Sequence, residues 1–407
     1  MRRVVITGAG SINALGVGVP VFAAALRASR CGIGALTLFD RDGYRTSCAA
    51  QVRALPELAW LPRAVARRSS RSDRFALVAA HEALTGAGLW SDTAAPVAQL
   101  ADVGVVLGGT TGGMHGAEEY YRRMLLQLPQ RRRSPMLSML VSSSTDLVAA
   151  VFGCQGPRVT LSTACSSGAN ALGIAADWIR AGRAEVVVSG GTDSLCRMTF
   201  SGFNALQALD KVPCRPFDRD RAGLSLGEGA AMFVLESAAH AAARGVTVLA
   251  EVLGYGVTAD AYHITQPRPD GAGAVMAMQR ALEDSGVAAG EIDYVNAHGT
   301  ATPLNDLLET RALKTLLGKR AFAIPISSTK SMVGHCLAAA GAIEALACVL
   351  AMQGGFVPAT ATLEHADPEC DLDYVPRVSR AQALRTVMSN SYGFGGNNTS
   401  IVLRAVS

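Results

Sequence analysis

The chain has 407 residues, of which 49% are hydrophobic, 17% charged and 5% aromatic, with 42 glycines and a formal net charge of +4. The apolar share excludes a disordered chain, the lack of a three-residue glycine period excludes a collagen-like one, and the net charge is too small to carry a nucleic-acid reading. The length accommodates two or three domains with ample core.

In chain order, the hydrophobic pattern predicts a strand over residues 4–8, a helix over 75–88, a strand over 103–108, a short strand over 158–162, a helix over 165–181 and a strand over 186–190. The order then recurs: a strand over 252–256, a helix over 273–286, a strand over 293–297 and a long Ala-rich helix over 334–352. No Pro/Ser linker or charged spacer divides the chain, and the alternation is that of an α/β fold. The helices predicted over 75–88 and 273–286 end alike, in Ala-Leu-Thr-Gly-Ala-Gly at 83–88 and Ala-Leu-Glu-Asp-Ser-Gly at 281–286. An Asp-led apolar strand follows each and runs into a Gly-Thr turn, Gly109-Thr110 and Gly299-Thr300. This predicts two related halves sharing one core, residues 1–250 and 251–407, with a long insertion around 110–160 in the first. Two unrelated doubly wound domains are the alternative.

Basic charge is almost all arginine, with lysine only at Lys211, Lys314, Lys319 and Lys330. Nine cysteines, an odd number without CxxC spacing, read mostly as small buried hydrophobes of a reducing compartment. The run Met1-Arg-Arg-Val-Val-Ile-Thr-Gly enters strand pattern at once and leaves no room for a signal peptide. The longest apolar run, residues 336–352, is broken by Glu344 and short for a bilayer span. A cytoplasmic protein without a membrane segment is expected.

Four segments place reactive groups at element ends among glycines. In Thr163-Ala-Cys165-Ser-Ser-Gly168, a strand gives way to a small-residue helix, so Cys165 falls at or near a helix N-terminus, where the dipole favours thiolate. His298, in Asn296-Ala-His298-Gly-Thr300-Ala-Thr302, and His335, after Ser328-Thr-Lys330-Ser331, each sit at an element edge beside glycine. No HxxxH or HExxH spacing links them, so no metal site is expected. The fourth segment, Gly393-Phe394-Gly-Gly396, reads as a hairpin or as a loop whose N–H groups face an oxyanion.

With these motifs, and with Arg215-Pro-Phe-Asp218, Gly227-Glu-Gly229 and Asp260-Ala-Tyr-His-Ile-Thr265, the sequence resembles the β-ketoacyl-[acyl-carrier-protein] synthases of the thiolase superfamily, the elongating synthase II type most closely. The resemblance runs nearly end to end. It implies a thiolase-like fold, duplicated α/β halves in a five-layered α/β/α/β/α arrangement. It also implies decarboxylative Claisen condensation of an acyl thioester with malonyl-[acyl-carrier-protein] through a Cys165 acyl-enzyme. In that reading His298 and His335 steady the enolate, and Lys330 holds His335 without acting as the base. The backbone N–H groups of Cys165 and Phe394 form the oxyanion hole, with Phe394 as the gate.

The same resemblance assigns Thr265, Thr300 and Thr302 to the pantetheine arm, and Glu344, Asn390, Asn296 and Glu309 to a supporting network. It assigns Thr111 to the floor of the acyl pocket. Arg63, Arg67, Arg68, Arg71, Arg131, Arg132 and Arg133 become the docking rim for an acidic carrier protein. No cofactor beyond the carrier's phosphopantetheine, no nucleic acid and no membrane are implied. The chain is expected as a homodimer or as a heterodimer with a chain-length factor. Thr111, Gln266 and Asn397 depart from synthase II and lean toward a type II polyketide or polyene ketosynthase; Gln207 replaces a docking arginine. A non-catalytic chain-length factor is the rival from another class, and the Cys165, His298, Lys330 and His335 set argues against it.

Overall fold

The computed structural model describes residues 2–91, 96, 100–129 and 133–406. Val4–Asn13 (β1), Gly104–Gly108 (β2), Arg158–Leu161 (β3), Val186–Asp193 (β4) and Gly229–Ser237 (β5) form one run of strands in the order β3-β2-β4-β5-β1. Ala250–Ala259 (β6), Tyr294–Asn296 (β7), Ile326–Ser327 (β8), Thr386–Gly393 (β9) and Asn397–Arg404 (β10) form a second in the order β8-β7-β9-β10-β6. The pairing repeats as well. β2 lies parallel to β3 and β4, as β7 lies parallel to β8 and β9. β5 lies antiparallel to β4 and β1, as β10 lies antiparallel to β9 and β6. Val4, Val5 and Ile6 join the two runs by pairing with residues 250–252.

The helices sort into three layers around these runs. Arg71–Gly86 (α1) covers the outer face of the first run, followed in the chain by Met114–Leu125 (α2) and by Ser143–Phe152 (α3), which packs beside α1. Ser167–Arg180 (α4) lies between the runs. Ala272–Ser285 (α5) and Pro303–Leu317 (α6) cover the outer face of the second, and Ala340–Gly354 (α7) joins α4 in the centre. The result is the five-layered duplicated arrangement the resemblance implies. The 110–160 stretch holds α2, a 3-10 turn over Ser134–Met139 and α3, whereas the matching link from β7 to β8 holds α6 and a short 3-10 turn.

Local sequence explains these elements. Ser70 and Asp73 form a reciprocal capping box that starts α1, with N–H to oxygen distances of 3.1 and 2.7 Å. α7 has no polar stripe because it is buried on every side. The stretch Leu337–Gly354 is apolar and long enough to cross a membrane by length and composition, yet 89% of it is buried inside the protein as the core helix. It starts later than the pattern predicts, because the chain after His335 makes a separate 3-10 turn, Leu337–Ala339.

Glycine sets the spacing of the central layer. A Cβ on Gly168 would lie 2.7 Å from the Ala338 carbonyl oxygen, and one on Gly341 2.8 Å from the Ala169 Cβ. Close approach of α4 to α7 therefore needs residues without side chains. Gly168→Ala is expected to cost about 1–3 kcal/mol through overpacking against backbone. A urea titration should show it as a lower midpoint with an unchanged slope.

Candidate active site

Cys165 stands in a 3-10 turn, Ala164–Ser166, between β3 and α4. Ala164 takes φ +51, a left-handed conformation unusual for a residue with a Cβ, so the turn is held by its neighbours. The Ser167 hydroxyl accepts the Thr163 N–H at 2.9 Å and donates to the Ala164 carbonyl at 2.6 Å. Asn170 donates to the Thr163 hydroxyl at 2.8 Å and accepts from Thr399 of β10 at 2.7 Å, which ties the turn to the second run.

The expected preference for thiolate is not met. Burial pushes the Cys165 thiol up to about 11, outweighing Lys330 and the Phe394 N–H, which both pull it down. The reason is physical: the dipole of one helix end is smaller than the cost of burying a charge. At rest this residue is a thiol.

The two histidines reach the same cleft from the second run and the loop before α7. His298 follows β7, and Glu309 of α6 accepts the N–H groups of His298 and Gly299, both at 2.8 Å. Lys330 Nζ lies 3.2 Å from His298 Nδ1, donates to the His298 carbonyl at 2.6 Å and forms an ion pair with Glu344. The lysine thus contacts His298, and acts on His335 only through its field, where the resemblance implied a hold on His335. His335 Nδ1 accepts the Leu337 N–H at 3.1 Å. Both Nδ1 atoms are acceptors, so both rings carry their proton on Nε2. Burial, and after it Lys330, holds both imidazoles well below 6.5, so they are neutral. Their rings stand 5.5 Å apart at 86°. Burial raises the Glu309 carboxyl to about 7 and the Glu344 carboxyl to about 6.

Cys165, His298 and His335 line one cleft of about 370 Å³, together with Thr265, Thr300, Thr302 and Phe394. Phe394 stacks on Phe203 with ring centroids 5.4 Å apart. The Gly-rich segment is the predicted hairpin, β9 to β10, and it also presents the Phe394 N–H to the cysteine sulfur.

Other predicted residues fall elsewhere. Asn390 accepts from Ser400 at 2.7 Å and lies 3.4 Å from the Met278 sulfur, away from Glu344's partner Lys330; Asn296 donates to Tyr294 at 3.2 Å. Thr111 does not line the cleft but is bound to Asp193. Arg71 is no free docking residue: Glu228 engages it at 2.8 and 2.5 Å, because that buried carboxylate needs a counter-ion. Arg63, Arg67, Arg68 and Arg133 are exposed, and Arg131 and Arg132 lie outside the described residues. Asp218, Asp220 and His365 bring their ligand atoms within 4.8 Å of one another, yet the Asp218 oxygens already accept three backbone N–H groups and the trio lies outside the cleft. Sequence reasoning passed over Phe203 and Asp193. The only signal for Asp193 was a carboxylate closing an apolar strand.

Residues 1–241 match the family described as beta-ketoacyl synthase, N-terminal domain, and residues 249–364 its C-terminal domain. The 3-oxoacyl-[acyl-carrier-protein] synthase 2 of Synechocystis sp. is 39% identical over 99% of this chain and 98% of its own. A putative polyketide beta-ketoacyl synthase 1 of Streptomyces cyaneus is 42% identical over 99% and 98%. The solved ishigamide ketosynthase/chain length factor has a TM-score of 0.93 at 35% identity, covering 100% of both chains. With a cysteine and two Nε2–H imidazoles in one cleft and matches running end to end, the chain belongs to the β-ketoacyl synthase family.

Proposed function

We propose that the protein elongates an acyl chain by decarboxylative condensation with malonyl-[acyl-carrier-protein], and that Cys165, His298, His335 and Lys330 carry the reaction. The observation that supports this reading most is the pair of neutral imidazoles, each with Nδ1 occupied and its Nε2–H free for the cleft.

In the first stage the Cys165 sulfur attacks the acyl thioester, and the thiol proton passes through water to the departing carrier sulfur. The N–H groups of Cys165 and Phe394 hold the tetrahedral oxyanion, and the carrier thiol leaves with the proton. In the second, malonyl thioester loses carbon dioxide, and the electron pair of the broken C–C bond becomes an enolate. Its oxygen takes the two Nε2–H donors. Because these rings are neutral, held below protonation by burial and after it by Lys330, they stabilise charge without giving up a proton. The enolate carbon attacks the acyl-enzyme, and Cys165 leaves as thiolate and regains a proton from solvent.

Thr265, Thr300 and Thr302 hold the pantetheine arm at the cleft, and the arm arrives on the carrier protein, so no separate cofactor is used. Arg63, Arg67, Arg68 and the arginines at 131–133 form the docking rim. The protein works in the cytoplasm. Exposed Tyr121, Met124 and Leu125 on α2, with Leu137 and Leu140 nearby in the chain, form an apolar stretch that supports a dimer. Thr111, Gln266 and Asn397 favour a second reading of the pathway, a polyketide ketosynthase paired with a chain-length factor.

Incubation with malonyl and a range of acyl carrier proteins, read by product mass, tests the function. Cys165→Ala is expected to abolish condensation, and His335→Ala to slow malonyl decarboxylation about 100- to 1000-fold. Alkylation of Cys165 by iodoacetamide in the free protein should keep rising with pH toward about 11, because the thiolate fraction grows until the pH passes the raised value. Malonyl decarboxylation should hold its rate to a pH below 6.5, where the imidazoles first protonate. Native mass of the chain expressed alone separates the pathways: a stable active homodimer favours fatty-acid elongation, and insolubility without a partner favours the polyketide pairing.

A further inference from the structure

Asp193 closes β4 with its side chain shut off from solvent. One carboxylate oxygen accepts the Thr111 N–H at 2.8 Å, the Thr111 hydroxyl at 2.8 Å and the Thr110 N–H at 3.2 Å. The other accepts the Thr110 hydroxyl and the Ala338 N–H, the latter at 2.9 Å. Five donors converge on one buried carboxylate; burial pushes its ionisation up, and these hydrogen bonds pull against that without cancelling it.

Ala338 belongs to the 3-10 turn that follows His335. In the same turn Leu337 takes φ +53, strained for a leucine, while its N–H donates to His335 Nδ1 at 3.1 Å. Something outside the turn must hold that conformation. Asp193 does so from one side, and Gly191, two residues earlier on β4, allows the approach: a Cβ there would lie 2.7 Å from the Ala338 carbonyl oxygen. If the turn relaxed, His335 Nδ1 would lose its donor and the ring its fixed tautomer.

We propose that Asp193 is a positioning residue of the condensing reaction, which keeps the Leu337 N–H on His335 Nδ1, so that Nε2–H faces the enolate, and which ties that geometry to the Thr110-Thr111 turn. The inference rests on the condensing function proposed above. It places the first run's contribution to the enolate donor in a residue that touches no substrate.

The test compares Asp193→Ala and the milder Thr110→Val with the parent protein in three measurements. These are malonyl-carrier-protein decarboxylation, Cys165 alkylation by iodoacetamide and the His335 tautomer by ¹⁵N NMR. Asp193→Ala is expected to slow decarboxylation about 100-fold, the scale of a displaced catalytic group, while alkylation stays within about twofold. The His335 signals should move from the Nε2–H form to a mixture. Thr110→Val should move in the same direction by roughly 3- to 10-fold, and it carries the test if Asp193→Ala does not fold. Unchanged decarboxylation and tautomer in a folded variant overturns the proposal. So does a parallel fall of alkylation and decarboxylation, which marks a merely structural role. A parent protein that neither decarboxylates nor condenses overturns the functional reading instead, and the tautomer measurement still decides the geometry.

Discussion

The site depends on one buried ammonium. Lys330 is 1% exposed, and its three N–H donors go to Glu344, the His298 carbonyl and His298 Nδ1. An ammonium in such a place is tolerated only with all its donors used and a counter-ion beside it; removing one partner of such a pair costs about 3–5 kcal/mol. The arrangement draws on three elements at once: the turn after β7, the residues after β8 and the second turn of α7. It explains why an all-apolar helix carries Glu344, and why the sole charge there is buried. It also fixes His298 in one tautomer and adds to the burial that keeps the ring neutral, the state a donor to an enolate requires.

The duplicated topology supplies the second constraint. In each run the parallel strands end at the same edge, and the strand ends and the turns beyond them carry the polar groups: Asp193 and Gly109-Thr110 in the first, His298-Gly299-Thr300 in the second. Ligand sites beyond the carboxyl ends of parallel strands are a general property of open α/β sheets, because unpaired N–H groups and helix starts gather there. Packing α4 against α7 through Gly168 and Gly341 then brings the two edges together. The thiol from one half faces the imidazole of the other across a single cleft.

Much of this was legible beforehand, for reasons that differ by residue. Cys165, His298 and His335 stood out because reactive side chains next to glycine at element ends are rarely needed for packing. Lys330 stood out through the scarcity of lysine. The repeat of helix ending, strand and Gly-Thr turn announced the duplication, since strand pairing follows the order of elements. Arg71 could not be sorted from its exposed neighbours, because an arginine run looks the same whether one member pairs with a buried Glu228 or not. Asn390 shares a strand with Ser391 but points to Ser400 and Met278, a consequence of side-chain alternation along β9.

By itself the sequence determined the family of chemistry, the cysteine and two histidines that meet in the cleft, and the alternation of strands and helices, all of which reside in residue type and local order. Only the tertiary structure decided protonation and contact. It made the resting Cys165 a thiol rather than a thiolate, gave Lys330 to His298 rather than His335, and joined Asp193 to the turn behind His335. These are properties of burial and of distances between residues far apart in the chain, and the cost of desolvating a charge depends on neighbours that no local pattern names.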